Sequence, residues 1–145
     1  MELGRRPFLI LAAVGLFFAG TLGAQNAEVV ARDAWVRMPP KSKTDTALFM
    51  VVENHSSQPK TIVSVSSDAA ASAELHQMTM NKMMMVMTPV RSVTVPAHGQ
   101  TGFDPNGYHV MLFGLKTRPA VGDKLNVTLK LDDGTTVPVE ATVRK

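Results

Sequence analysis

Methionine and histidine are concentrated in two short stretches of this 145-residue chain. Six of the ten residues from Met78 to Met87 are methionine; His76 comes just before them, and His109 and Met111 follow later. Thioether sulfur is soft and imidazole is of intermediate softness, so together they suit Cu(I), whereas zinc favours cysteine, histidine and carboxylate, and calcium or magnesium favours oxygen. The chain contains no cysteine. These residue types therefore predict a Cu(I) site.

The alternation of the methionines predicts a β-hairpin with its sulfurs on one face. If residues 81–82 form a two-residue turn, His76 pairs with Met87, Met78 with Met85, and Met80 with Met83. Directly paired residues have Cβ atoms about 4.5–5.5 Å apart, which lets an imidazole nitrogen and a thioether sulfur reach one ion. The hairpin therefore supplies one nitrogen ligand and one sulfur ligand.

A second pair of ligands comes from a later predicted strand. His109 and Met111 are two residues apart, so they share one face of that strand. Two imidazoles and two thioethers make a four-coordinate soft site, and the predicted ligands are His76, Met87, His109 and Met111.

The remaining candidates receive less specific interpretations, because methionine is commonly a core residue and histidine is commonly solvated. We expect Met78, Met80 and Met85 to be secondary ligands or an exposed soft surface, and Met83 and Met84 to lie in the turn or on the opposite face. By the same reasoning, core positions are predicted for Met38, Met50 and Trp35, loop positions for His55 and His98, and side chains facing away from the ligands for Glu74 and Tyr108.

The rest of the chain alternates with a period of two residues between turn-forming residues, which is an all-β pattern. It predicts a single domain with the fold of a Greek-key β-sandwich or a small barrel, with one helical turn at residues 68–72. Hairpin turns are predicted at residues 132–134 and 105–107. The predicted strands are residues 29–38, 47–54, 61–66, 73–80, 83–87, 92–95, 108–113, 124–131 and 136–143.

The first residues have the composition of a cleaved export signal. Arg5 and Arg6 precede an apolar run and a small-residue stretch ending at Ala24. We therefore expect a signal peptide at residues 1–24, through either the general secretory or the twin-arginine route, and a mature domain at residues 25–145 without a permanent membrane anchor. Basic residues are scattered and the formal charge is only +3, so no nucleic-acid surface is expected.

The ligand spacing resembles a known family. His76, ten residues, Met87, twenty-one residues, His109, one residue and Met111 match the motif of the periplasmic PCu(A)C copper chaperones. The similarity extends to residues 33–37, 74–76, 108–112 and 122–142. It implies a cupredoxin-like β-sandwich that binds Cu(I) through these four side chains and passes it towards the copper centre of cytochrome c oxidase, alongside Sco-type thiol proteins.

Three departures from the family pattern qualify what the resemblance implies. The predicted turn has Asn81, Lys82 and Met83 where relatives carry an acidic residue and glycine, and Thr88 replaces a common arginine. Because Met83 would be strained in a left-handed conformation, we expect Asn81 or Lys82 to take that conformation. The chain also lacks a tail rich in histidine and methionine, so Cu(II) binding is not expected.

Competing functions remain open at this level. A periplasmic protein that buffers or sequesters copper would use the extra methionines as capacity, and a metal-free sandwich would use them as an adhesive face. An enzyme is disfavoured, because a blue-copper centre needs a cysteine ligand and no serine or carboxylate grouping indicates hydrolysis. We expect a monomeric binding protein.

Overall fold

A computed structural model of the protein describes residues 27–145, so the predicted signal peptide lies outside the described residues. No helix occurs within this range, and therefore none that could cross a membrane. Ten strands form the domain: β1 (Val29–Arg37), β2 (Thr46–Asn54), β3 (Lys60–Ser66), β4 (Ala70–Asn81), β5 (Met84–Pro89), β6 (Val93–Val95), β7 (Gly99–Phe103), β8 (Tyr108–Leu115), β9 (Lys124–Leu131) and β10 (Thr136–Arg144).

All ten strands belong to one hydrogen-bonded sheet in the order β5-β4-β8-β7-β2-β1-β10-β9-β3-β6, with β8 also pairing with β2. Strands that are distant in this order, such as β3 and β4, contact each other, so the sheet folds over and encloses a core. Val36, Leu48, Leu112 and Leu129 are completely buried there. The predicted all-β, cupredoxin-like sandwich is confirmed, and its non-consecutive neighbours require crossing connections of the Greek-key kind.

The strand and turn predictions hold for most of the chain. β9 and β10 pair antiparallel around a turn in which Gly134 has a φ of +86°, and the turn before β8 is closed by the Gly107 N–H, which donates to the Asp104 carbonyl. Two predictions were wrong. Residues 99–103 form β7, which was not predicted, and Ala70 already begins β4 where a helical turn was expected.

A β-bulge in β1 changes the direction of the tryptophan. Arg32 pairs with Val51 but Trp35 pairs with Phe49, so β1 has one extra residue between the two pairs, where Asp33 has a φ of +54°. The bulge reverses the inside-outside alternation, so Val36 enters the core and Trp35 faces outward. The prediction that Trp35 anchors the core was therefore wrong.

The β4–β5 hairpin is shifted by one residue from the predicted turn. Lys82 and Met83 are the two turn residues, both with positive φ, as a two-residue type I′ turn requires. The pairing is consequently Met78 with Met87 and Met80 with Met85, and His76 lies opposite Pro89. The predicted register was wrong, as was the expectation that Met83 avoids a left-handed conformation, while the expectation for Lys82 was right.

Candidate metal centre

The two histidines lie directly opposite each other on adjacent strands. His76 of β4 pairs with His109 of β8, and their ring centroids are 5.8 Å apart. Met111, two residues after His109, pairs with Glu74 on one side and with Ala47 of β2 on the other. Because residues two apart on a strand share a face, the register places both imidazoles and Met111 on one side of the sheet.

The sulfur of Met87 reaches this pair from the edge strand. Its Sδ lies 3.2 Å from His109 Nε2, although β4 separates their two strands. The structure therefore brings Met87 directly to His109. Met87 and His76 are not paired as predicted, because the shifted hairpin sets them diagonally on the same face.

The hydrogen bonds of His109 fix which nitrogen carries the proton. Nδ1 lies 3.3 Å from the Gly107 carbonyl, which can only accept, so Nδ1–H donates and Nε2 of the neutral ring keeps its lone pair. Nε2 and the Met87 sulfur are then two electron-pair donors 3.2 Å apart. Two ligands of one tetrahedral ion, at about 2.0 Å for nitrogen and 2.3 Å for sulfur as in zinc sites, are about 3.5 Å apart. The pair therefore has a spacing close to that of two ligands of one cation.

Glu74 orients the other histidine. Its carboxylate lies 2.9 Å from His76 Nε2, so in the neutral ring Nε2–H donates to Glu74 and Nδ1 keeps its lone pair. Nδ1 is buried and has no hydrogen-bond partner among residues 27–145. A buried nitrogen without a partner is costly unless a ligand satisfies it, and carboxylates commonly hold metal-binding histidines in this way. The prediction that Glu74 faces away was wrong.

Aromatic rings surround the histidines. Phe49 lies 6.2 Å from His109 and Phe113 lies 5.8 Å from His76, measured between ring centroids. Trp35 packs on Phe49 with the ring centroids 4.7 Å apart, and the Arg37 guanidinium lies over the Phe49 ring, 5.3 Å from its centroid. Both imidazoles are almost completely buried beside Phe49 and Phe113.

Exposure differs sharply between the inner and outer ligand candidates. His109 is 2% exposed, and His76 and Met111 are 8% exposed, whereas Met87 is 52% exposed. Burial lowers the pKa of His109 below its ordinary value of 6.5, and the nearby positive charge of Arg37 acts in the same direction. At neutral pH the ring is therefore unprotonated, as a metal ligand must be.

The outer side of the site is a cavity of about 320 Å³, and Met78, Met85 and Met87 line it with His109. Met80 lies further along the same hairpin face and is 65% exposed.

The predictions for the remaining methionines, histidines and Tyr108 hold. Met83 is in the turn, and Met84 is exposed on the opposite face of the hairpin. Met50 is buried in the core, and Met38 and Tyr108 pack against the core. His55 and His98 are exposed loop residues.

Sequence reasoning assigned two contributors to the site, Glu74 and Trp35, to the wrong place. Glu74 carries a usable signal, because it is two residues from His76 and must share its face in a regular strand. Trp35 carries none, because its direction depends on the bulge at Asp33.

The geometry can be compared with known proteins. The model of a family described as "Putative lipoprotein LpqE-like" matches residues 29–143. The chain belongs to this LpqE-like family, which is of the PCu(A)C type. A relative from Leifsonia xyli subsp. xyli (strain CTCB07), "Putative lipoprotein Lxx21020", is 35% identical over 127 residues, which cover 87% of this chain and 75% of that protein.

Solved structures agree with the LpqE-like assignment. The solution structure of apo-DR1885 from Deinococcus radiodurans is 37% identical, with a TM-score of 0.64 over 100% of this chain and 94% of that chain. Its Cu(I) form is 40% identical, with a TM-score of 0.62 over 88% and 85%. A copper-bound PCuAC domain from PmoF2, 22% identical, shares the fold with a TM-score of 0.68 over 81% and 92%. The predicted resemblance to the PCu(A)C family is confirmed.

Proposed function

We propose that this LpqE-like protein carries Cu(I), bound by His76, Met87, His109 and Met111. The observation that carries the proposal is the 3.2 Å approach of two electron-pair donors, His109 Nε2 and Met87 Sδ. The neighbouring ring of His76, 5.8 Å away between centroids, has a buried Nδ1 without a hydrogen-bond partner in the described part of the chain. Met111 is the fourth proposed ligand, because it lies two residues after His109 on the same face of β8. The 40% identity to a protein solved in its Cu(I) form supports copper as the ion.

The ligand set suits a protein that releases its metal. Thioethers are neutral and bind no proton in the working pH range, so an incoming thiolate can displace them without proton transfer to the protein. Met87 is half exposed on an edge strand, so we expect it to be displaced first. The two buried histidines hold the ion until a second thiolate arrives, and copper passes to the partner with its oxidation state unchanged.

From these properties we infer a metallochaperone and not an enzyme. Its partners would be a Sco-type thiol protein and the copper subunit of cytochrome c oxidase, and its location would be the periplasm after removal of residues 1–24. We infer that residues 25–145 act as a monomer with no membrane anchor and no nucleic-acid partner.

Substitution of Met111 by leucine tests the ligand set. Met111→Leu keeps the volume of a buried side chain and removes the sulfur, so the fold should remain. We expect Cu(I) affinity to fall roughly tenfold or more, which is about 1.4 kcal/mol, in an anaerobic titration against a chromophoric chelator. Met50→Leu is the matched control, because Met50 is 2% exposed in the core and should not affect affinity. Equal affinities in both variants would refute the ligand assignment.

A copper-buffering role is a second candidate, favoured by the exposed methionines Met80 and Met85. The two functions differ in how many ions are held tightly and in whether copper leaves. A carrier holds one tight Cu(I) per chain and releases it to a dithiol peptide, whereas a buffer holds several and retains them.

A further inference from the structure

The β4–β5 hairpin has two chemically different faces. Met78, Met80, Met85 and Met87 form one face, here called the methionine face, and the metal-ligand assignment uses only Met87. On the opposite face, Thr79 and Thr88 approach each other with their hydroxyl oxygens 3.3 Å apart. Polar residues are what an exposed edge hairpin ordinarily carries. The opposite face also carries Met84 and Val86, but only the methionine face has four sulfurs in two directly paired positions, and this clustering needs an explanation.

Core packing does not account for these methionines. Met80 is 65% exposed and Met85 is 46% exposed, and neither belongs to the core cluster or packs against it. Methionine usually serves to fill irregular gaps inside proteins. At these positions a β-branched residue would favour the strand more, and lysine would better protect an edge. What methionine alone contributes here is its sulfur.

The hairpin register brings the spare sulfurs within reach of one ion. Met80 pairs directly with Met85, and Met78 is the next residue on the same face of β4. Paired Cβ atoms are about 4.5–5.5 Å apart and diagonal ones about 7–8 Å. A methionine sulfur lies two bonds beyond Cβ on a flexible chain, so three such sulfurs can converge between the strands.

The spare methionines are also continuous with the histidine site. Met78 pairs with Met87, which contacts His109, and Met78, Met85 and Met87 line the same cavity. Among residues 27–145, no cluster of three or more His, Cys, Asp or Glu side chains could hold a metal ion. A ligand set on this face would therefore consist of thioethers, which select Cu(I).

We propose that Met78, Met80 and Met85 form a second Cu(I) site, weaker than the histidine site and connected to it through Met87. The inference rests on the proposed function, since copper would enter or leave the histidine site through this second site. An ion moves inward as a bond to Met78 or Met85 breaks and a bond to Met87 forms, after which a second thioether bond is exchanged for a bond to His109. No electron or proton is transferred, because thioethers are neutral and copper remains Cu(I).

Anaerobic Cu(I) titration of the protein with ¹³C-labelled methionine methyl groups tests this, because the NMR signals report each sulfur separately. In the unsubstituted protein, we expect the first equivalent to shift Met87 and Met111 and a second equivalent to shift Met78, Met80 and Met85. The triple variant M78L/M80L/M85L should lose the second equivalent and still bind the first. The matched control is M83L/M84L, which removes exposed sulfurs from the turn and the opposite face and should still bind two.

Several outcomes would overturn the second site. The unsubstituted protein could bind only one equivalent, the triple variant could keep the second, or the control could lose it as well. A triple variant that binds two equivalents but no longer associates with a thiol acceptor would assign the face to docking instead. If copper shifted only the signals of Met78, Met80 and Met85 and never those of Met87 and Met111, the proposed function alone would be contradicted. Circular dichroism of each variant verifies that the sheet is intact.

Discussion

The two faces of β8 are equally buried and serve different purposes. Val110 and Leu112 point into the core with 0% exposure, while His109 and Met111 point to the other side with 2% and 8% exposure. One strand thus positions the proposed metal ligands rigidly, because its alternate residues are fixed in the core. Burial does not distinguish the two faces; the chemistry of the side chains does. Mutations should therefore separate stability from copper affinity, according to the face they alter.

The largest effect is expected on the core face. Leu112→Ala leaves a cavity in the sandwich, so the free energy of unfolding should fall by about 2–5 kcal/mol. Urea denaturation of the metal-free protein measures this change. Met111→Leu, next to it on the other face, keeps its volume and should change stability by less than about 1.5 kcal/mol. If Met111→Leu proved as destabilising as Leu112→Ala, the separation between the two faces would be wrong.

A smaller effect is expected from substitution of Glu74, which lies on the site face and orients His76. Glu74→Gln keeps the shape of the side chain but removes the negative charge from its hydrogen bond with Nε2. Cu(I) affinity should fall by roughly tenfold, with unfolding little changed. Glu140→Gln, at an exposed position of β10, is the control for the loss of one charge. Equal Cu(I) affinities for Glu74→Gln and Glu140→Gln would show that Glu74 does not support the site.

The smallest effect concerns pH and belongs to the site face alone. Burial lowers the pKa of His109 below 6.5, so the unfolded chain binds a proton there before the folded protein does. The contribution of His109 to stability is therefore complete above about pH 6.5 and declines as the pH falls towards the folded pKa. An NMR titration of the His109 ring in metal-free protein should give a midpoint below 6.5. A midpoint at or above 6.5 would mean that the ring is solvated.

The ligand face could be predicted from the sequence even though its register could not. Moving the turn from residues 81–82 to Lys82 and Met83 changes each pairing by two residues, and a two-residue shift leaves every side chain on the same face. His76 and Met87 therefore stay on one side despite the wrong register. The left-handed conformation of Met83 had no sequence signal, since methionine does not favour it.

The parts of the fold that escaped prediction have specific physical reasons. β7 reads Gly-Gln-Thr-Gly-Phe and lacks apolar alternation, so it is identified as a strand by its pairing with β2 and β8 and not by its sequence. The bulge at Asp33 is a local irregularity that reverses the alternation after it, and with it the direction of Trp35. By contrast, β9 and β10 alternate without interruption, and the structure pairs them around the predicted turn.

X-ray absorption of the protein loaded anaerobically with one equivalent of Cu(I) tests the central claim most directly. It counts the neighbours of the ion, and the account predicts two nitrogen and two sulfur ligands, at about 2.0 and 2.3 Å if copper follows the distances of zinc sites. In Met111→Leu the sulfur count should fall by one. A first equivalent bound by sulfur alone, or by nitrogen and oxygen without sulfur, would contradict the assignment of His76, Met87, His109 and Met111.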